Sequence, residues 1–412
     1  MLSILINAYA CSPNMGSEPG MAWNWCVNLA RYCELHIITE GEFQQNIENI
    51  LPNLPQSKNM HFYYNPVSAK VREMCWNQGD WRFYYYYKKW QKTTLEIAKE
   101  IISTTHIDII HQLNMVGFRE PGYLWTIKDK PFVWGPIAGI GSIPYSFIKD
   151  ATLKFKLFYI IKNQITKLQL KYSSRVISAL HKACILITAT PESGEVIKKI
   201  HQIESIQINE TGCYIKDENL ILKKDKVYFD ILWVGRFIYT KQLKLALEVI
   251  NKIKNLDNIR FHIVGQAFNL EENEQYKEYA NFLGINNICI WHGQISNDDV
   301  QKLMQKSDLF FFTSIFEATS TVILEAIQNK LPIVCFNRCG FGPIIDSSIG
   351  RKIEITTPQK ALNDFAYEIT ELYHHRNILK KMSENCILKQ KELSWENKAQ
   401  QMINLYHKIL NK

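Results

Sequence analysis

Short apolar runs rich in β-branched residues alternate with helical patterns along the whole chain. In the first half these runs lie at residues 3–8, 35–39, 107–111, 132–135 and 186–189. In the second half they lie at 229–234, 260–264, 288–292, 309–312 and 333–336. Such an alternation predicts parallel sheets covered by helices on both faces. Because 412 residues exceed what one hydrophobic core usually serves, the two sets predict an α/β protein with two doubly wound, Rossmann-like domains.

The composition is typical of a globular protein of a reducing compartment. The hydrophobic fraction of 46% and the aromatic fraction of 12% exclude an intrinsically disordered chain. The ten cysteines are scattered, and the nearest pair, Cys335 and Cys339, has no second pair at zinc-site spacing. We therefore expect reduced thiols and a cytoplasmic location. Residues 1–7 lack the basic leader of a signal sequence, and no apolar run is long enough to predict a membrane-spanning helix.

The net charge of +8 is concentrated between residues 70 and 182. Two segments there, 81–90 and 154–171, are both aromatic and basic. Such helices can rest on anionic lipid, with rings at the interface and cations outside. The same pattern equally fits a buried aromatic face with a solvated basic face. No nucleic-acid-binding motif accompanies the charge, so we expect no nucleic acid partner.

Two glutamates flank the start of a predicted helix in the second half. Glu317 follows the apolar run 309–312 in a loop, and Glu325 lies within the helical pattern that begins near Val322. A helix start after a parallel strand suits a phosphate group, and acids on either side of it can bind hydroxyls. A sugar nucleotide has that arrangement of hydroxyls and diphosphate. The alternative is a strand and an amphipathic helix that carry two surface glutamates.

Four other loops after predicted strands contain candidate ligand-binding residues. The first loop, 11–23, contains Gly16 before a helix, and glycine lets the backbone approach a ligand closely. Arg236 and Lys241 follow the first strand of the second half and can straddle a diphosphate. Gly265 and Gly293 end the next two strands and can line a base pocket through backbone groups.

A histidine and an acidic pair complete the candidates. His111 ends a predicted strand of the first domain, where a structural role and a role in the site are both open. Asp298 and Asp299 resemble the metal-binding acidic pairs of other transferases. They fall, however, in the first turn of a predicted helix, where acids complement the helix dipole. We therefore expect no metal there.

Together these residues resemble glycosyltransferase family 4, a family of GT-B fold enzymes. The most specific element is Glu317 and Glu325, separated by seven residues and followed by the Leu-Pro-Ile-Val of 331–334. The Gly-Arg of 235–236 with Lys241, together with Gly265, extends the resemblance, and the Gly-Ser-Glu-Pro-Gly of 16–20 is similar to a bacterial branch of the family. The resemblance implies a GT-B fold with the two Rossmann-like domains facing a cleft. It implies an acceptor-side domain at 1–222, a nucleotide-sugar domain at 223–390, and a C-terminal helix, 391–412, that returns to the first domain.

The resemblance also implies roles for individual residues. Arg236 and Lys241 would neutralise the diphosphate leaving group, Glu325 would hold the ribose, and Glu317 would contact the transferred sugar as a catalytic residue with His111. The backbone amides that would meet phosphate are those of Thr319, Ser320, Thr321 and Val322. The family retains the anomeric configuration and needs no metal or other cofactor. The chain departs from the family pattern at Ala318, Ser320, Gln242 and Leu113.

These inferences predict a metal-independent retaining glycosyltransferase of the hexosyltransferase class. The expected donor is a nucleoside-diphosphate sugar, and the expected acceptor is a glycan or lipid-linked glycan of bacterial capsule, O-antigen or exopolysaccharide synthesis. The expected place is the cytoplasm, with contact at the anionic inner face of the inner membrane. The alternatives are a nucleotide-sugar epimerase of GT-B shape and a catalytically inactive protein that binds sugar nucleotides or membranes.

Overall fold

The chain forms two compact units. The computed structural model describes residues 1–77, 80–149, 151–216 and 227–411. The first unit comprises Met1–Gly141, Gln164–Thr211 and Trp395–Lys412, and the second comprises Ser142–Asn163 and Gly212–Ser394. The predicted boundary between residues 222 and 223 lies outside the described residues.

Ser142–Asn163 differs from the predicted domain division. The sequence assigns this segment to the first domain, whereas its contacts group it with the second unit. The ring of Phe155 lies 4.2 Å from the ring of Tyr239, measured between centroids. The guanidinium of Arg338 donates a hydrogen bond to the Ser142 carbonyl oxygen at 3.0 Å. Both partners lie far along the chain, so no local pattern could indicate this grouping.

The strands follow the predicted rhythm in each unit. The first unit contains β1 (Leu2–Ala8), β2 (Cys33–Thr39), β3 (Met60–Tyr64), β4 (Ile109–Asn114), β5 (Phe132–Ile137), β6 (Ile185–Thr188) and β7 (Ile206–Gln207). The second contains β8 (Phe229–Val234), β9 (Ile259–Val264), β10 (Cys289–Gly293), β11 (Leu309–Phe312), β12 (Ile333–Phe336) and β13 (Gly350–Ile353).

Helices connect these strands, and three more follow the last strand among the described residues. In the first half they are α1 (Ser17–Leu29), α2 (Gln44–Ile50), α3 (Ala69–Trp76), α4 (Phe83–Thr104), α5 (Tyr145–Ile148), α6 (Leu153–Tyr172), α7 (Ser174–Lys182) and α8 (Pro191–His201). In the second half they are α9 (Leu243–Lys252), α10 (Leu270–Phe282), α11 (Asn297–Lys306), α12 (Thr321–Gln328), α13 (Pro358–His374), α14 (Arg376–Glu392) and α15 (Trp395–Leu410).

Both sheets are parallel and doubly wound, as predicted. Among the described residues, the first sheet has the order β3-β2-β1-β4-β5-β6-β7 and the second has the order β10-β9-β8-β11-β12-β13. The order of strands reverses between β1 and β4 in the first sheet and between β8 and β11 in the second. Such a switch point is where open parallel sheets leave room for a ligand, outside the carboxyl ends of the strands.

The central strands are continuous apolar runs because both of their faces are covered. All four residues of β11, Leu-Phe-Phe-Phe, and all four of β12, Ile-Val-Cys-Phe, are buried. Parallel strands with helices on both sides require such runs. Helix α12 contributes the buried side chains Ile323, Leu324, Ala326 and Ile327 to the same core. This packing fixes the start of α12 relative to the end of β11.

Helix α15 belongs to the first unit, although β8 to β13 precede it in the chain. Trp395 packs edge-to-face against Trp25 of α1, with the ring centroids 5.6 Å apart. Met402 and Tyr406 are fully buried in the same core. The helix therefore completes the apolar layer over β1 and β2.

Three strands, β3, β7 and β13, have no counterpart among the predicted apolar runs. Each lies at an edge of its sheet. β13 contains Arg351 and Lys352, and both residues of β7 are exposed. Polar and exposed residues at a sheet edge discourage pairing between molecules, and they leave β7 and β13 with a weak hydrophobic pattern.

Helix α6 leaves an apolar stripe in solvent. Leu153, Leu157, Ile161, Ile165 and Leu168 are all exposed, and their spacing of three or four residues places them on one face. The helix has no acidic residue, and Thr166 and Leu170 are its buried residues. Among the described residues, no helix has both the length and the apolar character needed to cross a membrane.

Candidate functional site

The loops after β8 and β11 meet at the switch point of the second sheet. These strands pair with each other although β9 and β10 separate them along the chain. The N–H of Ile315 donates to the Thr240 carbonyl oxygen at 2.8 Å, and the Thr313 hydroxyl donates to the Lys241 carbonyl oxygen at 2.7 Å. These hydrogen bonds join the two loops, so their side chains keep a fixed relative position.

A cavity of about 400 Å³ lies between the loops. Its lining combines charged side chains with the first residues of α12. The lining residues are Val234, Gly235, Arg236, Ile238, Thr240, Lys241, Phe316, Glu317, Ser320, Thr321 and Val322. The sequence therefore predicted six members of one cavity, namely Arg236, Lys241, Glu317, Ser320, Thr321 and Val322.

Lys241 and Glu317 form an ion pair in this lining. The Nζ of Lys241 lies 2.5 Å from Glu317 Oε1, and the Ser314 hydroxyl donates to the same oxygen at 2.8 Å. The two side chains are 14% and 20% exposed, so the pair is partly shielded from water. A lysine ammonium has three N–H donors, so one bond to Glu317 does not exhaust its capacity. The pair orients both side chains at the cavity.

The start of α12 brings backbone amides to the same cavity. The N-cap residue, Ser320, has extended backbone angles, and its side chain makes no capping hydrogen bond. The first turn of α12 contains no acidic side chain. Unsatisfied amides and the positive end of a helix dipole attract anions, phosphate above all. Thr319, which was predicted to belong with these residues, is buried and lies outside the lining.

Arg236 supplies a second cation next to the end of β8. Its side chain is exposed, and its guanidinium carbon lies 5.7 Å from the centroid of the Phe268 ring. Lys241 ends a short 3₁₀ turn, Tyr239–Lys241. A guanidinium and an ammonium therefore both line a cavity that also contains a helix N-terminus.

Gly265 and Gly293 hold neighbouring strand ends together and lie outside the cavity lining. Gly265 has a φ of +125°, and a Cβ there would lie 1.9 Å from the carbonyl oxygen of Gly235. Its N–H donates to the Gly293 carbonyl oxygen at 2.8 Å. Gly265 is therefore required for the close approach of the β8 and β9 ends, which positions Gly235 and Arg236.

Glu325 lies on the adjacent part of α12, outside the lining. Its carboxylate is hydrogen-bonded to Asn297 and Gln301 of α11, and burial raises the pKa of Glu325 despite these bonds and the nearby Lys216. The Lys216 ammonium donates to Gln301 Oε1 at 2.9 Å. Sequence reasoning did not find these partners. The spacing of Asn297 and Gln301, one helical turn apart, is the signal that could have indicated them.

His111 is fully buried in β4 of the first unit. Its Nε2 lies 2.6 Å from the Gly135 carbonyl oxygen, and its Nδ1 lies 2.6 Å from the Tyr406 hydroxyl. Burial lowers the pKa of His111 to about 4. The neutral ring thus donates from Nε2 and accepts at Nδ1. Both nitrogens are occupied, so the predicted catalytic role of His111 gains no support from its surroundings.

The first loop of the chain, at the switch point of the first sheet, contains Gly16 and an acid that sequence reasoning did not assign a role. Gly16 is the exposed N-cap of α1. The Glu18 carboxylate accepts a hydrogen bond from the Val116 N–H, at 3.1 Å to Oε1. Burial raises the pKa of Glu18 to about 7 against the effect of this bond, and the nearby Glu210 raises it further.

Comparison with known proteins finds a family match in the second half of the chain. Residues 216–389 match the family model described as "Glycosyl transferases group 1". The predicted resemblance to GT-B glycosyltransferases is thereby confirmed. An uncharacterized glycosyltransferase of Methanocaldococcus jannaschii is 24% identical over 184 residues, which cover 43% of this chain and 44% of that protein. The chain thus spans about half the length of the curated relatives it matches.

Solved structures of glycosyltransferases share the fold over the full chain. A glycosyltransferase from Rickettsia africae has a TM-score of 0.64 at 17% identity, with 99% of this chain and 98% of that chain covered. A lipopolysaccharide outer core galactosyltransferase has a TM-score of 0.62 at 15% identity, with 98% and 99% covered. The Anabaena protein HepE, solved in complex with UDP-glucose, has a TM-score of 0.60 at 13% identity, with 99% and 100% covered. The predicted fold class, two parallel-sheet Rossmann-like domains of GT-B type, is confirmed.

Proposed function

We propose that the chain is a retaining family 4 glycosyltransferase that moves a sugar from a nucleoside-diphosphate sugar to a glycan acceptor. The observation that carries this proposal is the cavity in which Arg236, Lys241 and Glu317 meet the first turn of α12. The cavity lies within the segment that matches the group 1 family model. Its charges suit a diphosphate with a sugar beside it.

The cations and the helix N-terminus would act on the leaving group. As the bond to the sugar breaks, negative charge grows on the departing diphosphate. Positive groups already fixed at that position stabilise the transition state more than the ground state. The Arg236 guanidinium can bind two phosphate oxygens side by side, whereas the Lys241 ammonium acts as a point charge. This division of roles needs no divalent metal and no other cofactor.

The two glutamates would bind the two ends of the donor. Glu317 lies in the cavity with Lys241, so a sugar next to the diphosphate can reach its carboxylate. Glu325 is three residues after Val322 and therefore lies one turn further along the same helix face. Its bonds to Asn297 and Gln301 hold it in place for ribose hydroxyls.

The proposed pathway is bacterial cell-surface polysaccharide synthesis at the inner membrane. The similarity to a lipopolysaccharide galactosyltransferase supports a glycan or lipid-linked glycan acceptor. The exposed apolar stripe of α6, flanked by exposed Lys154, Lys167 and Lys171, supports contact with anionic lipid. A cytoplasmic enzyme would then meet its lipid-linked acceptor at the surface where that acceptor is anchored.

The donor assignment is tested by thermal stabilisation with a panel of nucleoside-diphosphate sugars. A ligand that binds only the folded chain raises the melting temperature, so the panel identifies base and sugar together. Arg236→Ala is expected to reduce this shift strongly, and Lys302→Ala, at an exposed lysine of α11, is the matched control. Equal shifts in both variants would remove the support for the donor site. Product analysis with the stabilising donor then separates transfer from isomerisation and from binding without turnover.

The membrane assignment is tested by flotation with phosphatidylglycerol vesicles at low salt. Leu157→Glu with Ile161→Glu is expected to abolish flotation, because both side chains lie in the exposed stripe. Leu388→Glu is the control, since this leucine of α14 is 67% exposed and lies outside α6. A wild-type chain that stays at the bottom of the gradient would contradict the proposed contact.

A further inference from the structure

Three metal-ligating side chains meet at the amino-terminal ends of β2 and β3. His36 of β2 pairs in register with His61 of β3, and Glu34 precedes His36 by two residues, on the same face of the sheet. Both strands begin nearby, at Cys33 and Met60. The loops predicted to bind ligand follow the opposite, carboxyl ends of the strands. The three side chains therefore stand apart from the proposed transfer reaction.

The ligand atoms of this cluster are close together. One donor atom from each of Glu34, His36 and His61 lies within 4.8 Å of the others. The Nε2 of His61 is 2.9 Å from Glu34 Oε1, and the two imidazole rings stack with centroids 4.9 Å apart. Two imidazoles and one carboxylate are a donor set that Zn²⁺ and similar ions accept.

His36 presents a buried nitrogen without a hydrogen bond. The residue is 4% exposed, and its Nε2 has no hydrogen-bond partner among the described residues. Its Nδ1 lies 3.1 Å from the Tyr63 hydroxyl oxygen. When Nδ1–H donates to that oxygen, Nε2 has a free lone pair. Histidines that bind a metal commonly have this arrangement, with one nitrogen on the ion and the other hydrogen-bonded to a neighbouring group.

We propose that Glu34, His36 and His61 form a binding site for a divalent transition-metal ion, with Zn²⁺ as the best match. Tetrahedral Zn²⁺ holds its ligand atoms about 3.3 Å apart, given bond lengths of about 2.0–2.2 Å. The side chains of His61 and Glu34 are 41% and 40% exposed, so they can rotate to close the remaining gap. The ion would join the edge strand β3 to β2 and leave a fourth position open to water.

The test is calorimetric titration of the full chain with Zn²⁺ after removal of bound metal with EDTA. We expect one ion bound at this site and a rise in melting temperature on binding. His61→Ala and Glu34→Gln should each weaken that binding about tenfold or more, because each substitution removes one of the three protein ligands on which the affinity for the ion depends. The matched control is His106→Ala, because His106 forms a similar pair with Asp108, at 2.9 Å, and no third ligand joins them among the residues that the structure describes.

Tyr63→Phe supplies a second readout that does not remove a ligand. It deletes the group that holds His36 Nδ1, so the affinity for Zn²⁺ should fall while the stoichiometry stays the same. Circular dichroism of each variant confirms the fold. Absence of stoichiometric binding by the wild-type chain, or equal affinity in wild type and His61→Ala, would overturn the proposal and leave a stacked histidine pair with an ordinary ion pair.

Discussion

Replacement of Gly265 by alanine tests whether backbone contact positions the proposed diphosphate site. A Cβ on Gly265 would lie 1.9 Å from the Gly235 carbonyl oxygen, so the end of β8 must move. Gly293→Ala is a matched control, since Gly293 ends the neighbouring strand with a φ of +64° and its Cβ would meet no atom within 4 Å. Both substitutions place an alanine at a backbone φ that is unfavourable for it, but only the Cβ at position 265 clashes with a neighbouring atom.

The expected losses of unfolding free energy follow from these two terms. Left-handed backbone costs an alanine about 1–2 kcal/mol, which is the whole loss expected for Gly293→Ala. For Gly265→Ala, backbone strain of about 1–3 kcal/mol adds to a similar amount for overpacking, which gives roughly 2–6 kcal/mol. In a unit of this size each kcal/mol lowers the melting temperature by about 2–4 °C.

Scanning calorimetry measures the loss of stability, and calorimetric titration with the stabilising nucleotide sugar measures the donor affinity. Gly265→Ala should lose both stability and donor affinity, because Gly235 precedes Arg236. Gly293→Ala should keep donor affinity close to that of the wild type. Similar losses of stability in both variants, or full donor affinity in Gly265→Ala, would refute the reasoning.

Three further predictions concern single ionisable groups. Glu317→Gln should lower the rate of sugar transfer at least about tenfold. Binding of the nucleoside diphosphate should persist, because Lys241 loses its partner but keeps its charge. Product assays measure the rate, and calorimetric titration measures the binding. His111 is neutral in the fold, with a pKa of about 4 against an ordinary 6.5, so the unfolded chain binds the proton first as pH falls. Stability should therefore decrease from pH 6.5 towards 4, by on the order of 3 kcal/mol, and His111→Gln should flatten that part of a urea-denaturation profile. Glu18 has the opposite sign: its pKa is raised from 4.5 to about 7, so stability should decrease as pH rises through that window, and a Glu18→Gln variant that keeps this slope would contradict the assignment.

The sequence predicted what depends on local pattern. The structure contains β11, a loop and α12 where the sequence predicted a strand at 309–312, a loop and a helix starting near Val322. Apolar strands and amphipathic helices can be predicted in this way because their patterns of apolar residues extend over only a few positions. The rule that ligands bind beyond the carboxyl ends of parallel strands then placed Arg236, Lys241 and Glu317 in one cavity.

What the sequence missed depends on contacts between distant residues. The grouping of Ser142–Asn163 with the second unit rests on Tyr239 and Arg338, which no local pattern reveals. His111 stands at the end of a predicted strand, yet its Nδ1 is hydrogen-bonded to Tyr406, which is 295 positions away. Glu325 was predicted to hold the ribose of the donor, and its hydrogen-bond partners Asn297 and Gln301 belong to another helix, α11, so the pattern around Glu325 did not indicate them.

The return of α15 to the first unit has a consequence for synthesis. Trp395–Leu410 leaves the ribosome after every strand of both sheets, so the apolar layer over β1 and β2 stays incomplete until then. A gene fragment that stops before Trp395 would express a first unit with Trp25 uncovered. Such fragments should be recovered mainly as aggregates, and a soluble version would need the final helix supplied on a grafted tether or as a separate peptide.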